Sequence, residues 1–195
     1  MASLMSILRA PVSRFAREER GTIVAEAVIV LPLFLWAYLA LFVYWDSFRS
    51  LNSLQKAAYT VSDMLSREMQ KAGITTSYIT GMNDVMDYLM DRDQPVRMRV
   101  TSVTWSATND RYEVHWSRSP HSKMIPLTTA TLQGYAYQIP EISDGAFVII
   151  VEVESDYVPT FEIGMADQVY HEFIVTPQRF LPQCLPIDGG NCVIS

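Results

Sequence analysis

Thr22–Trp45 reads TIVAEAVIVLPLFLWAYLALFVYW, and from Ala27 to Trp45 it runs 19 residues without a charge. Glu26 is its one charged side chain, and Asp46 closes it. As a helix rising 1.5 Å per residue it measures about 36 Å, enough to cross a hydrocarbon layer of roughly 30 Å with some tilt. Tyr44 and Trp45 stand where an interfacial aromatic belt would fall. The core helix of a soluble protein is seldom this long and this uniformly apolar. A secretory signal has a shorter apolar region, about 7–15 residues, and a small-x-small cleavage site, which does not follow here. The chain is therefore expected to stay anchored as a single-pass protein.

The flanks orient the span. Arg9, Arg14, Arg17 and Arg20 precede it, whereas Arg49 and Lys56 follow it more sparsely. Positive residues near a span's end tend to remain cytoplasmic, so the N-terminus should face the cytoplasm and residues after Asp46 should face outward. The remaining composition agrees with a folded domain on that outer side. Of 195 residues, 49% are hydrophobic and 18% charged, with a mean hydropathy of +0.10. Disorder needs the opposite balance. A net charge of -6 also disfavours nucleic acid as a partner, since phosphate binding calls for a basic stripe.

Two cysteines, Cys184 and Cys192, bracket CLPIDGGNC near the C-terminus. Pro186, Gly189 and Gly190 supply turn residues between them. In an oxidising compartment the pair is a disulfide candidate, contributing on the order of 2–3 kcal/mol by loop entropy. Two unpaired thiols are the alternative, and the chain has no further cysteine to complete an all-thiolate zinc site.

The junction RFAREERGTIVAEAVIVLP, Arg14–Pro32, places one glycine, Gly21, between a charged leader and the apolar run. Glu26 lies about one helical turn inside that run. A carboxylate at mid-bilayer costs up to about 2.5–3.5 kcal/mol and usually has a partner, although near the edge the cost is smaller. This arrangement resembles a type IV prepilin. More closely, FAREERGTIVAEAVIVLPLFL is similar to the TadE-like pilus-assembly proteins, minor pseudopilins of tight-adherence (Tad/Flp) systems, over about residues 14–45. The resemblance implies that a membrane prepilin peptidase cuts between Gly21 and Thr22, making Glu26 the fifth residue of the mature chain. Thr22 replaces the phenylalanine with which many type IV pilins begin. Ala27 replaces the tyrosine that follows the glutamate in the main Flp pilins, which points to a minor component.

Cleavage would account for Glu26. It frees an α-amine at Thr22, substantially cationic at pH 7, and residues i and i+4 share a helix face. Glu26 could then meet the amine of its own chain or of a neighbouring subunit, with helix N-terminal polarity adding to the attraction. In an uncut anchor Glu26 could instead pair with Arg20 at the interface. Losing residues 1–21 removes four Arg and two Glu and takes the net charge to -8.

Past the span, Leu51, Leu54, Ala58, Val61, Leu65, Met69 and Ala72 recur in steps of three and four, with Gly73 as a stop. The helix is expected to continue over residues 46–72, with Pro32 kinking the span; a break near Asp46 is the alternative. Ile79, Met82, Met86 and Leu89 mark a second helix near Ile79–Asp91, its methionines filling a core rather than binding metal. Beyond Pro95 the period becomes two. Val96, Met98 and Val100 alternate with Arg97 and Arg99, then Val103 and Trp105 change parity, which suggests a bulge near Ser102. Thr108–Asp110 reads as a turn into Tyr112, Val114 and Trp116, residues 119–145 as loop-rich, and Phe147–Glu154 and Val169–Val175 as strands. The fold class expected is α+β: a long N-terminal helix, half transmembrane and half periplasmic, on a small antiparallel sheet of about four strands. The domains are a cytoplasmic leader 1–21, a transmembrane helix 22–45, its continuation 46–72 and a periplasmic or extracellular head 73–195.

Catalytic motifs do not emerge. His115, His121 and His171 show no metal-ligand spacing, and neither a G-x-S-x-G elbow nor a phosphate-cradling glycine loop occurs. Glu152, Glu154 and Asp156, with Asp144, could attract calcium, but they do not match an EF-hand loop and read as solvated carboxylates. The expectation is a structural subunit without catalysis, cofactor or metal. Its implied partners are the inner membrane, a prepilin peptidase, other pilins or pseudopilins and the Tad secretion machinery. The alternative is an uncleaved bitopic protein whose outward domain binds a ligand or partner.

Overall fold

A computed structural model describes residues 20–68, 73–90, 96–180 and 184–190. Among the expectations above, leader residues 1–19, Met69, Ala72, Asp91, Pro95 and Cys192 lie outside that set. The fold is α+β. Helix α1, Arg20–Ser66, is followed by α2, Thr76–Met90, and by strands β1, Arg97–Ser106, and β2, Arg111–Arg118. A short helix α3, Thr129–Leu132, and a 3-10 turn, Gln133–Gln138, lead to β3, Phe147–Tyr157, and β4, Gln168–Pro177. The four strands form one sheet in the order β2-β1-β3-β4, with every neighbouring pair antiparallel. By their contacts the residues divide into two units. One holds residues up to Trp45 together with Thr160–Met165; the other holds Asp46–Pro159 and Ala166–Ser195.

In the larger unit, the stripe on α1 does what its spacing predicts. Leu54, Ala57, Ala58, Val61 and Leu65 are buried with Val100, Ile149, Val151 and Val153 of the sheet. Each large aliphatic among them contributes about 1.5–3 kcal/mol by leaving water. Small hydroxyls close the same seam: Ser47 bonds Tyr170, Ser62 bonds Thr176 at 2.5 Å, and Tyr157 donates to Asp46 at 3.0 Å. On α2, Ile79, Met82 and Met86 join this core. Leu89 does not; it is exposed, and Met90 takes the inward place a turn after Met86.

The helix ends at Ser66, not at Ala72. The Ser66 carbonyl, which a continuing helix would give to residue 70, accepts the Arg179 amide at 3.0 Å, and Arg179 also pairs with Asp63 at 3.1 Å. Gly73 therefore serves another purpose than a helix stop. Its φ is +84°, and a Cβ there would stand 2.2 Å from the Pro186 carbonyl oxygen. Beside it Ile74 donates to Pro186 at 2.9 Å, and Asp188 donates back to Ile74 at 2.8 Å. The Asp188 carboxylate then caps α2, accepting from the Thr76 amide at 2.7 Å and hydroxyl at 2.5 Å. Pro186 and Asp188, in the C-terminal segment, are thus fastened to the start of α2.

The bulge expected near Ser102 is present, but it is not what changes the parity in β1. β1 pairs with β3 without interruption from Arg97↔Glu154 to Thr104↔Phe147. Against β2 the register shifts between Ser102 and Val103, whose partners are Trp116 and Val114. The extra residue is therefore His115 on β2. Val103 and Trp105 are apolar because the sheet has a core on each face. Met98 and Val100 point to the helices, whereas Val103 packs with Leu127, Leu132, Ile139, Val148 and Ile150. Residues 119–145, expected to be loop, supply this second cover through α3 and the 3-10 turn.

Candidate functional site

The smaller unit carries the residues that the sequence singles out. Gly21 and Thr22 occupy the first turn of α1 as described, and Glu26 follows one turn later. Ile23–Ser66 contains a stretch long and apolar enough to cross a bilayer, and almost none of that stretch is buried. Ile29 is 74% exposed, Phe34 69% and Leu41 68%, so these side chains find little cover among the described residues. Glu26 is exposed as well, and it has no ion-pair partner among the described residues. The unit therefore presents an apolar rod with one carboxylate near its start. Chemically it can pack against lipid or other apolar helices, and it can accept one cationic group at the Glu26 level.

Within the acidic run of the head only Glu152 is buried; Glu154 and Asp156 stay partly exposed, and Asp144 is exposed. Glu152 is 1% exposed and receives Arg99 through two bonds, 2.7 Å from Nε and 2.6 Å from the terminal nitrogen. Arg99 also donates to the Ile125 carbonyl at 2.5 Å, and His171 Nε2 lies 3.7 Å from Glu152. Arg97 bridges Glu154 at 3.1 Å and Asp156 at 2.6 and 2.9 Å. Hydrogen bonds from Arg97 hold the Asp156 carboxyl below the usual carboxylate range, and in return raise the guanidinium. These are cross-strand pairs of β1 with β3, so the two guanidinium groups occupy all three carboxylates. Among the described residues no group of three or more His, Cys, Asp or Glu is arranged to hold a metal.

The histidines are scattered. His121 sits in the turn after β2, His171 lies on β4, and His115 is the bulge residue. Both ring nitrogens of His115 are buried without a hydrogen-bond partner among the described residues, and its ring lies 5.1 Å from that of Phe147. Burial lowers its pKa, with the nearby Glu113 carboxylate pulling the other way. Cys184, 9% exposed, is not a free thiol; Cys192, its expected partner, lies outside the described residues.

One feature escapes sequence reading. A cavity of about 300 Å³ is lined by Trp105, Tyr112, Glu141 and Ile142. The Trp105 and Tyr112 rings meet edge to face at 4.8 Å, and the phenol donates to the Pro140 carbonyl at 3.2 Å. Burial raises the Tyr112 pKa, and the Glu141 carboxylate raises it further. The pairing of Trp105 with Tyr112 follows from the β1–β2 register; the approach of Glu141 depends on the fold of residues 119–145 and leaves no local signal. Compared with protein-family models, curated proteins and solved structures, the chain shows no significant match to any of them.

Proposed function

We propose that this chain is a TadE-like minor pseudopilin: a structural, non-catalytic subunit taking part in Tad/Flp pilus assembly and surface attachment. It is held in the bacterial inner membrane with its N-terminus cytoplasmic and its head periplasmic. The observation that carries this reading is Glu26, an exposed carboxylate in an otherwise apolar, uncovered helix, one turn after the Gly21–Thr22 junction. A prepilin peptidase hydrolyses the Gly21–Thr22 bond, and the new Thr22 ammonium becomes the counter-ion for Glu26 on this or a neighbouring subunit. Helix packing of Thr22–Trp45 against other pilin-like helices supplies the rest of the association. A Cys184–Cys192 bond, formed in the periplasm, holds Leu185 and Asp188 against α2.

Mass spectrometry of the membrane-extracted chain is expected to find a mature terminus at Thr22. Gly21→Leu should leave the leader in place. Glu26→Ala should be cut normally yet abolish assembly, read as loss of surface pili. An intact Met1 terminus in cells with active peptidase would overturn the proposal.

The aromatic cavity favours a second reading, in which α1 is an uncut anchor and the head binds a ligand. Two electron-rich rings beside a carboxylate suit an organic ammonium group, with cation–π attraction of about 0.5–2 kcal/mol. Tetramethylammonium should then quench tryptophan fluorescence, with the response lost in Trp105→Phe and weakened in Glu141→Gln. On this reading a foreign span in place of residues 22–45 would preserve function; no fluorescence response would sink it.

A further inference from the structure

The β3–β4 connection, VPTFEIGMAD over Val158–Asp167, is unusual for a surface loop. Such loops are normally built from polar and turn-forming residues, whereas this one carries Phe161, Ile163 and Met165 with Glu162 as the single charge between Thr160 and Met165. Its tip, Thr160–Met165, groups by contacts with the apolar segment of α1 and not with the sheet. The Tyr44 hydroxyl donates to the Gly164 carbonyl at 3.2 Å. Phe161 sets its ring edge-on to Phe42 at 6.3 Å, and Phe42 lies 6.5 Å from Trp45. Gly164 has a φ of +75°, which turns its carbonyl to the phenol at no steric cost. The Ile163 amide donates to the Phe161 carbonyl at 2.8 Å, closing the tip on itself.

The tip thus adds Phe161 to Phe42, Tyr44 and Trp45 at the end of the apolar run. These four rings remain 41%, 41%, 42% and 60% exposed, so the cluster is fixed in position but uncovered. Aromatic side chains with a polar handle are favoured at the headgroup level of a bilayer, and this is the level at which the span of α1 ends. Charge and geometry select the same occupant, because the tip's only carboxylate lies between two apolar side chains that can immerse while it stays in water.

We propose that Thr160–Met165 is a membrane-seated loop, inserted with the Phe42–Trp45 end of α1 into the phospholipid interface of the outer leaflet. This rests on α1 spanning the membrane. The loop then acts as a second anchor point, which a helix alone does not provide, and it must be withdrawn from lipid when the subunit leaves the bilayer.

The test is photo-crosslinking of the full chain in phosphatidylcholine–phosphatidylglycerol vesicles, with benzoylphenylalanine at Phe161 and, in a second variant, at Met165. Leu33 in mid-span and the 82%-exposed Tyr137 of the head are the controls. Lipid adducts are expected at Phe161, Met165 and Leu33, several-fold above Tyr137. Adducts at Leu33 alone, or Phe161 adducts to a second copy of the chain, would overturn the loop assignment while leaving the span intact. No lipid adduct at any position, Leu33 included, would overturn the spanning helix itself.

Discussion

Arg99→Met is expected to destabilise the head by about 3–5 kcal/mol, because it strands a charge that the fold has already removed from water. Glu152 is 1% exposed, and Arg99 supplies both of its close bonds. Among the described residues the other basic group beside it is His171, 3.7 Å away. Deleting both charges should cost far less: Arg99→Met with Glu152→Leu leaves neither ion unpaired and is expected to recover most of the loss. Denaturant unfolding of the full chain in mild detergent, followed by near-UV circular dichroism, measures both. A single variant within about 1 kcal/mol of the parent, the range of exposed pairs, would show that this bridge behaves as a surface one.

Gly73→Ala should cost about 2–5 kcal/mol, of which the left-handed backbone accounts for roughly 1–2 and overpacking for about 1–3. The obstacle is backbone, not a side chain that could swing aside: the Pro186 carbonyl oxygen and carbon would lie 2.2 and 2.6 Å from the new methyl. Moving Pro186 would disturb the Ile74–Pro186 and Ile74–Asp188 hydrogen bonds and the Asp188 cap on α2. Gly81, inside α2 with nothing within 4 Å of its virtual Cβ, is the matched control. There Gly→Ala should be stabilising by about 0.5–1 kcal/mol. A lowered denaturation midpoint with an unchanged slope is the expected signature for Gly73→Ala. Equal behaviour of the two variants would contradict the close approach.

How much of this was legible beforehand differs by element. The α1 stripe obeys a simple period because it buries one face, and the strands near Tyr112–Trp116, Phe147–Glu154 and Val169–Val175 stand out as short apolar runs. The turn at Thr108–Asp110 is local chemistry, with Asp110 at a φ of 50°. β1 misled because a period of two assumes one buried face; with a core on both faces, alternation of apolar with polar no longer reports orientation. The apolar-looking Leu89 failed for a related reason, as the groove against α2 accepts Met90 one step further round.

The sequence by itself determined the apolar span, the carboxylate one turn inside it, the α+β class and the antiparallel sheet. All of these follow from composition and spacing over fewer than a few dozen consecutive residues. Only the tertiary structure decided that Arg97 and Arg99 pair with Glu152, Glu154 and Asp156, that Gly73 makes room for Pro186, and that Phe161 joins Phe42. Each of those joins residues some 50 or more positions apart, over 100 for Gly73 and Phe161, and pairing at such separation is set by strand register and chain reversal. Local pattern holds no record of either.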